Sequence, residues 1–426
     1  MPDAPKNPRR AAFLAILSLV DAGLVWRAGR PQGPVESVPA TPPPISGAVT
    51  ADATSGAAAR APESSEASEE RPGPAKREGV DAANIYANAF VLFDQLTDEE
   101  KAMLRKPSEE VDADQAAKLF EKIQAIMALL RAAAKADYCD WGTGEITFET
   151  GLPHIGMAQD LAKLALWAAA YRFPTDPAGA IDDLSARARL GHHLTETLIG
   201  ALAAGSIETT AHKLLGDHLG RLDSAATGKA LEFLHSSTLD ADLSHAFRGE
   251  TSGVESFAAK LARVDARERG RMLLEIQGGG TESRNWLDPV KEFTAGVIAN
   301  PESIATELAF IRGVHAKAPD ALRMSEEDFQ SWWRDVESTL KTDHPLARLT
   351  MPALDGIQKV VQRLRIEREL LTAGADVLQH GPSQVGRYRD PATGGALLYV
   401  PTPTGFELRS PYVVKGKPVT MAFTRP

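Results

Sequence analysis

Residues 139–173 read CDWGTGEITFETGLPHIGMAQDLAKLALWAAAYRF. A glycine-studded turn runs into Leu152-Pro153-His154, and the pattern then turns helical. Leu161, Leu164, Ala165, Ala168 and Ala169 recur at three- and four-residue spacing, and Trp167 and Tyr171 widen the apolar stripe. From Ile155 to Arg172 only Asp160, Lys163 and Arg172 are charged. So wide an apolar face needs several neighbours, so the spacing predicts a central helix over 155–172. Its alanines let those neighbours come close. Pro174 and Asp176-Pro177 end it and begin another, with Asp176 as N-cap and Pro177 at the first helical position. Within the turn, Ile146 and Phe148 alternate and predict a short extended piece.

Helical patterning spreads outward from this stretch in both directions. From Asp81, the residues Ile85, Ala89, Leu92, Phe93 and Leu96 make one helix face, and Thr97-x-x-Glu100 is a capping box. Asp112–Ala136 is a longer helix with Leu119, Ile123, Ile126 and Leu130 on its buried stripe. Downstream, helix is expected from Pro177 to Ala204, with a break at Gly205-Ser206 and Ser206 capping a helix to Leu222. Further helices are expected near 227–236, 240–248, 252–276 and 286–299, and from Asn300-Pro301. Ser325-x-x-Asp328 caps a helix whose stripe is Phe329, Trp332, Val336 and Leu340, and a long helix over 347–378 tolerates Pro352. Strand-like pieces then follow at Leu397–Val400, Phe406–Leu408, Tyr412–Val414 and Val419–Phe423. The expected fold is mainly α: an array of antiparallel helical pairs, bundle-like or tetratricopeptide-like, closed by a small C-terminal antiparallel sheet. Residues 160–171 and 176–184 resemble one tetratricopeptide-type unit, with Arg187 and Arg189 just beyond, but no second copy follows at the period of 34 residues expected of such repeats.

The N-terminal part is different in kind. Arg9-Arg10 precede the apolar run Ala11–Val20, and Val20-Asp21-Ala22 has signal-peptidase spacing. Residues 1–29 are therefore expected to be an export signal or an uncleaved membrane anchor. Residues 30–80, rich in Pro, Ala, Ser and Glu, lack apolar periodicity and read as a disordered linker. An α-helical domain over 81–380 and a sheet tail over 381–426 complete the expected organisation. The formal charge of −10 and the lack of a basic stripe argue against nucleic acid as a partner. Cys139 is the only cysteine, so an intramolecular disulfide and a cysteine-type zinc site are excluded.

Candidate chemistry is sparse. His192, His193, His212 and His218 fall on consecutive expected helices near Glu196, Glu208 and Asp217, and His193-x-x-Glu196 places two metal-ligand types on one helix face. A bundle metal site uses Glu-x-x-His from two helices plus two further glutamates. Here the order is reversed and unrepeated, and His212 and His218 lie about 600° apart around a helix. Hydrogen-bonded or surface histidines are the expected roles. Cys139, Asp140 and His154 are the residue types of a Cys/His nucleophile. The expected roles are a packed cysteine, a capping or packing histidine, and a core Trp141. Gly278-Gly279-Gly280-Thr281 lacks the Gly-Lys-Ser/Thr ending of a phosphate loop. No catalytic, cofactor-binding or metal-ligating set is therefore assigned. A deep polar-lined pocket is the feature that would most change this reading.

The body resembles a group of uncharacterised, exported or membrane-anchored helical proteins of planctomycete-type bacteria. The resemblance rests on Asn84–Phe90, Leu96–Lys101, Cys139-Asp140-Trp141-Gly142, Leu152-Pro153-His154 and Leu161–Ala165. It continues at His344-Pro345-Leu346, Pro352-Ala353-Leu354, Arg363–Leu371, His380-Gly381, Asp390-Pro391-x-Thr393-Gly394 and Gly405-Phe406-x-Leu408-x-Ser410. It implies a helical fold and an envelope address, without an assigned activity. The last 25 or so residues also resemble the tail sheet of type II secretion pseudopilins, although the rest of the chain departs from that pattern. The expected function is a non-catalytic helical scaffold or interaction module of the cell envelope, with an envelope protein as partner and no cofactor. The membrane enters only through residues 1–29, if they are retained. The alternatives are a metal-dependent enzyme using His192, His193, Glu196, His212 and His218, and a secretion-system accessory.

Overall fold

The computed structural model describes residues 78–143, 152–236, 239–276, 303–342, 344–351, 354–414 and 416–425. The expectations for residues 1–77, for Ile146 and Phe148, for Gly278–Thr281 and for a helix over 286–299 lie outside them. The described chain is mainly α, with one small antiparallel sheet at its C-terminal end.

Local signals position the first helices. Asp81 caps α1 (Ala82–Asp94) by accepting from the Ala83 N–H. Thr97 and Glu100 form the capping box of α2 (Asp98–Met103). Asp112 caps α3 (Ala113–Ala133), which buries Leu119, Ile123, Ile126 and Leu130 as its stripe predicts. The buried line of α1 is Ala82, Tyr86 and Ala89; Ile85, Leu92 and Phe93 are only half-buried beside it. α4 (Pro153–Arg172) and α5 (Pro177–His192) form an antiparallel hairpin, its turn capped by Asp176 with Pro177 at the first helical position.

The expected break at Gly205-Ser206 does not occur. α5 ends at His192, a turn spans 193–197, and Thr197 caps α6 (Leu198–Leu219), which runs straight through Gly205 and Ser206. The reason is burial on nearly every side from Leu198 to His212. One face of α6 (Ala203, Ile207) joins the apolar cluster of α1, α3, α4 and α5. A second (Ala211, Leu215, Leu219) joins the cluster beneath the sheet, and a third (Leu198, Ala201, Leu202) joins helices further along the chain. A glycine in such a helix costs about 1 kcal/mol in propensity, and close packing offsets it. At the crossing, a methyl added to Gly191 of α5 would lie 3.4 Å from the Ala204 Cα. Thus α6, more than α4, is the shared element of the body.

The second half holds α7 (Ser224–Ser236), α8 (Leu239–Arg263), α9 (Ala266–Ile276), α10 (Ser303–Ala321), α11 (Glu326–Thr342), α12 (Pro345–Thr350) and α13 (Leu354–His380). α8 continues past residues 249–253 and stops where Asp265 caps α9. Ser325 caps α11 through the Asp328 N–H, as its spacing predicts. The single helix expected over 347–378 is two, α12 and α13. Met351, which precedes Pro352, takes extended backbone (φ −68°, ψ 129°), the conformation that a following proline favours.

The sheet is a meander, β1 (Leu398–Thr402), β2 (Gly405–Val414) and β3 (Lys417–Thr424), in the order β1-β2-β3. The two middle strands expected separately are one strand, with an irregularity between Arg409 and Val413 that accommodates Pro411. Phe406 pairs with Phe423, and both are buried in the apolar cluster to which α6 and α13 contribute. Asp390 anchors the preceding turn: one carboxylate oxygen accepts from the Ala392 and Thr393 N–H groups, and the other accepts from the Ser410 hydroxyl of β2.

Candidate functional site

A cleft of about 490 Å³ opens between the end of α3 and α5, α6, α7 and α8. Its polar lining includes Arg131 and Lys135 at the end of α3, Asp182, Arg189 and His192 on α5, Glu208 on α6, and Asp242 on α8. On α5, Ser185, Arg189 and His192 fall at four- and three-residue spacing, so one helix face supplies them together. Asp242 Oδ2 lies 2.5 Å from Nδ1 of His192 and fixes the orientation of the ring. Beneath the lining, Arg187 is fully enclosed. It donates to the carbonyls of Ala162 and Ile207 and to the Thr210 hydroxyl, tying α4 and α6 to α5. Burial lowers the pKa of this guanidinium, and the Glu208 carboxylate partly restores it. Arg131 reaches Asp183 at 2.7 Å through Nε, and Lys229 reaches Asp182 at 3.0 Å.

Two of the histidines and carboxylates expected near one another, His192 and Glu208, line this cleft. The others are elsewhere. His193 is the C-cap of α5 and Glu196 lies in the following turn, so the pair does not share a helix face; the helix stops before it reaches them. Nδ1 of His193 is hydrogen-bonded to the buried Tyr86 hydroxyl at 3.0 Å. Glu196 lies 3.3 Å from the Thr143 hydroxyl. His212 is buried beside Glu367 of α13, and His218 stacks on Phe173. Among the described residues no three His, Cys, Asp or Glu side chains are grouped so as to hold a metal ion.

The motifs flanking the opening stretch meet in an aromatic stack. Trp141 lies on His154 (4.8 Å between centroids) and on Tyr86 (5.5 Å), and its indole N–H donates to the His193 carbonyl at 2.6 Å. Asp81 accepts from the Asp140 N–H and holds this corner to α1. His154 is a packing residue, since the N-cap position of α4 is Leu152. The Cys139 thiol is pushed up to about 12 by burial and then by the carboxylates of Asp81, Glu196 and Asp140. It stays protonated at neutral pH, so it is a poor nucleophile.

Burial also makes two histidines sensors of acid. His193 is held down to about 3, by burial first and then by Arg189 and His192, and His315 is held down to about 4 by burial alone. Below pH 6.5 the unfolded chain takes up protons that the folded chain refuses. Stability is therefore intact above that pH and falls as the pH drops toward 4, by up to about 1.4 kcal/mol per pH unit for each histidine. Urea midpoints measured from pH 7.5 to 4.5 should show this slope, and His193→Asn should shallow it. A flat profile would contradict it.

Sequence patterning singled out His192 and Glu208 but not Arg131, Lys135 or Asp242. Lys135 and Asp242 stand more than a hundred residues apart, and no periodicity links them. No protein-family model, curated protein or solved structure matches this chain. Among the described residues no helix is long and apolar enough to cross a membrane.

Proposed function

We propose that this chain is a non-catalytic helical binding module of the cell envelope that holds a small polar ligand in the α3–α5–α6–α8 cleft. The observation that carries the reading is the cleft itself. Its volume of about 490 Å³ falls in the range of roughly 300–1,000 Å³ typical of small-molecule sites, and charged groups from separate helices converge on it. The protonated Cys139 thiol and the commitment of His193 to Tyr86 favour binding over nucleophilic chemistry.

Hydrogen exchange on the full chain, mixed with a small-molecule extract of its host cells, tests the reading. Protection should concentrate in 131–135, 182–192, 204–208 and 236–242. Protection elsewhere only, or turnover of the captured molecule, would count against it. The envelope address rests on residues 1–29: a chain lacking them should remain in the cytoplasm on cell fractionation, and continued export would refute that part.

A further inference from the structure

The class of molecule that the cleft takes can be read from which of its charges are already used. Each carboxylate in the lining already has a polar partner. Asp182 is bridged by Lys229 at 3.0 Å, Asp242 is bonded to His192, and Glu208 sits beside the buried guanidinium of Arg187. Of the cations, Arg131 is held by Asp183. That leaves Arg189 and Lys135. Neither side chain forms a hydrogen bond or an ion pair with any described residue, and both line the cleft, one from α5 and one from the end of α3. Arg189 is half-buried, so part of its side chain is out of water, and no described carboxylate is bonded to it. A half-buried cation in that condition favours an anion that displaces the remaining water.

We infer that the cleft binds a small organic anion, a carboxylate or a phosphate ester, gripped between Arg189 and Lys135. The His192 ring, fixed by Asp242, lines the same space as the uncharged part of the ligand. The guanidinium suits the planar, two-oxygen recognition of either group, and the ammonium adds a point charge at the mouth. This inference rests on the binding-module reading above and specifies its ligand.

Titration calorimetry on the full chain, with inorganic phosphate, glycerol 3-phosphate and succinate as probes and glycerol as the neutral control, tests it. The two phosphates against succinate separate the possible sources of the anion. At least one anion should bind saturably while glycerol does not. Arg189→Gln should weaken that binding roughly tenfold or more, and Lys135→Gln by a smaller factor, because exposed charge is screened. Both side chains are unbonded, so both variants should keep the wild-type thermal midpoint without ligand. Lys101→Gln, remote on α2, should bind as wild type. Anion binding unchanged by Arg189→Gln would overturn the inference. So would the absence of binding by all three anions: if the cell extract still protects the cleft helices, only the ligand class is wrong, and if it does not, the binding-module reading falls with it.

Discussion

Replacing Gly374 with alanine is expected to undock the C-terminal sheet and to lower stability by about 3 kcal/mol. Gly374 lies in α13, where alanine would ordinarily gain about 1 kcal/mol in helix propensity. Here the added methyl would overlap the ring of Phe423. That ring has no free direction: it is almost fully buried and stacks on Phe406 at 5.0 Å between centroids. Overpacking of this kind outweighs propensity. Two other glycines calibrate the claim. At Gly216 the methyl would meet the Met421 sulfur at 2.7 Å, and that flexible side chain can move, so Gly216→Ala should cost less. At Gly228 nothing lies within 4 Å, so Gly228→Ala should be neutral or stabilising by up to 1 kcal/mol or so. Denaturant midpoints, with proteolysis of the tail as a second reading, check the ranking. Shortening the ring with Phe423→Leu should recover part of the loss in Gly374→Ala, giving a coupled double-mutant cycle. Equal stabilities for the Gly374 and Gly228 variants would sink the argument.

The second large effect is expected at Asp183. Its carboxylate is completely buried and accepts from Arg131 Nε at 2.7 Å, while Arg172 Nε lies 3.3 Å from the other oxygen. One side chain of α5 thus holds cations from α3 and α4. Asp183→Ala removes the buried carboxylate that two guanidinium groups share and should cost about 3–5 kcal/mol. Asp183→Asn keeps the shape but loses the charge, and should cost less. Arg172 retains Asp176 at 3.2 Å, so Arg131 is the cation left stranded. Asp183→Ala combined with Arg131→Met should therefore be less damaging than the sum of the two single changes. Denaturation at neutral pH measures all four chains. A loss below about 1 kcal/mol in Asp183→Ala would show that the network is solvated.

Features read correctly from sequence are those made by neighbours along the chain. Thr97 with Glu100, Asp112, Asp176 with Pro177, and Ser325 with Asp328 are helix starts, each closed within three residues. Amphipathic α3 and the strands of the tail follow from the same local logic. The helices misread were those whose surroundings override local propensity. α6 carries Gly200, Gly205 and Gly216, and its apolar residues point to three clusters, so it shows no single stripe and its glycines look like breaks.

The order of the chain along its own length therefore determined the mainly α character, the helix caps, the hairpin of α4 with α5, and the switch to strands after His380. Tertiary packing alone decided that α6 runs unbroken at the centre, and that Lys135, Arg189 and Asp242 face one cleft. The physical reason is range. Caps and turns are satisfied by backbone groups a few residues away, whereas burial on several faces and the gathering of charge depend on partners brought from distant segments.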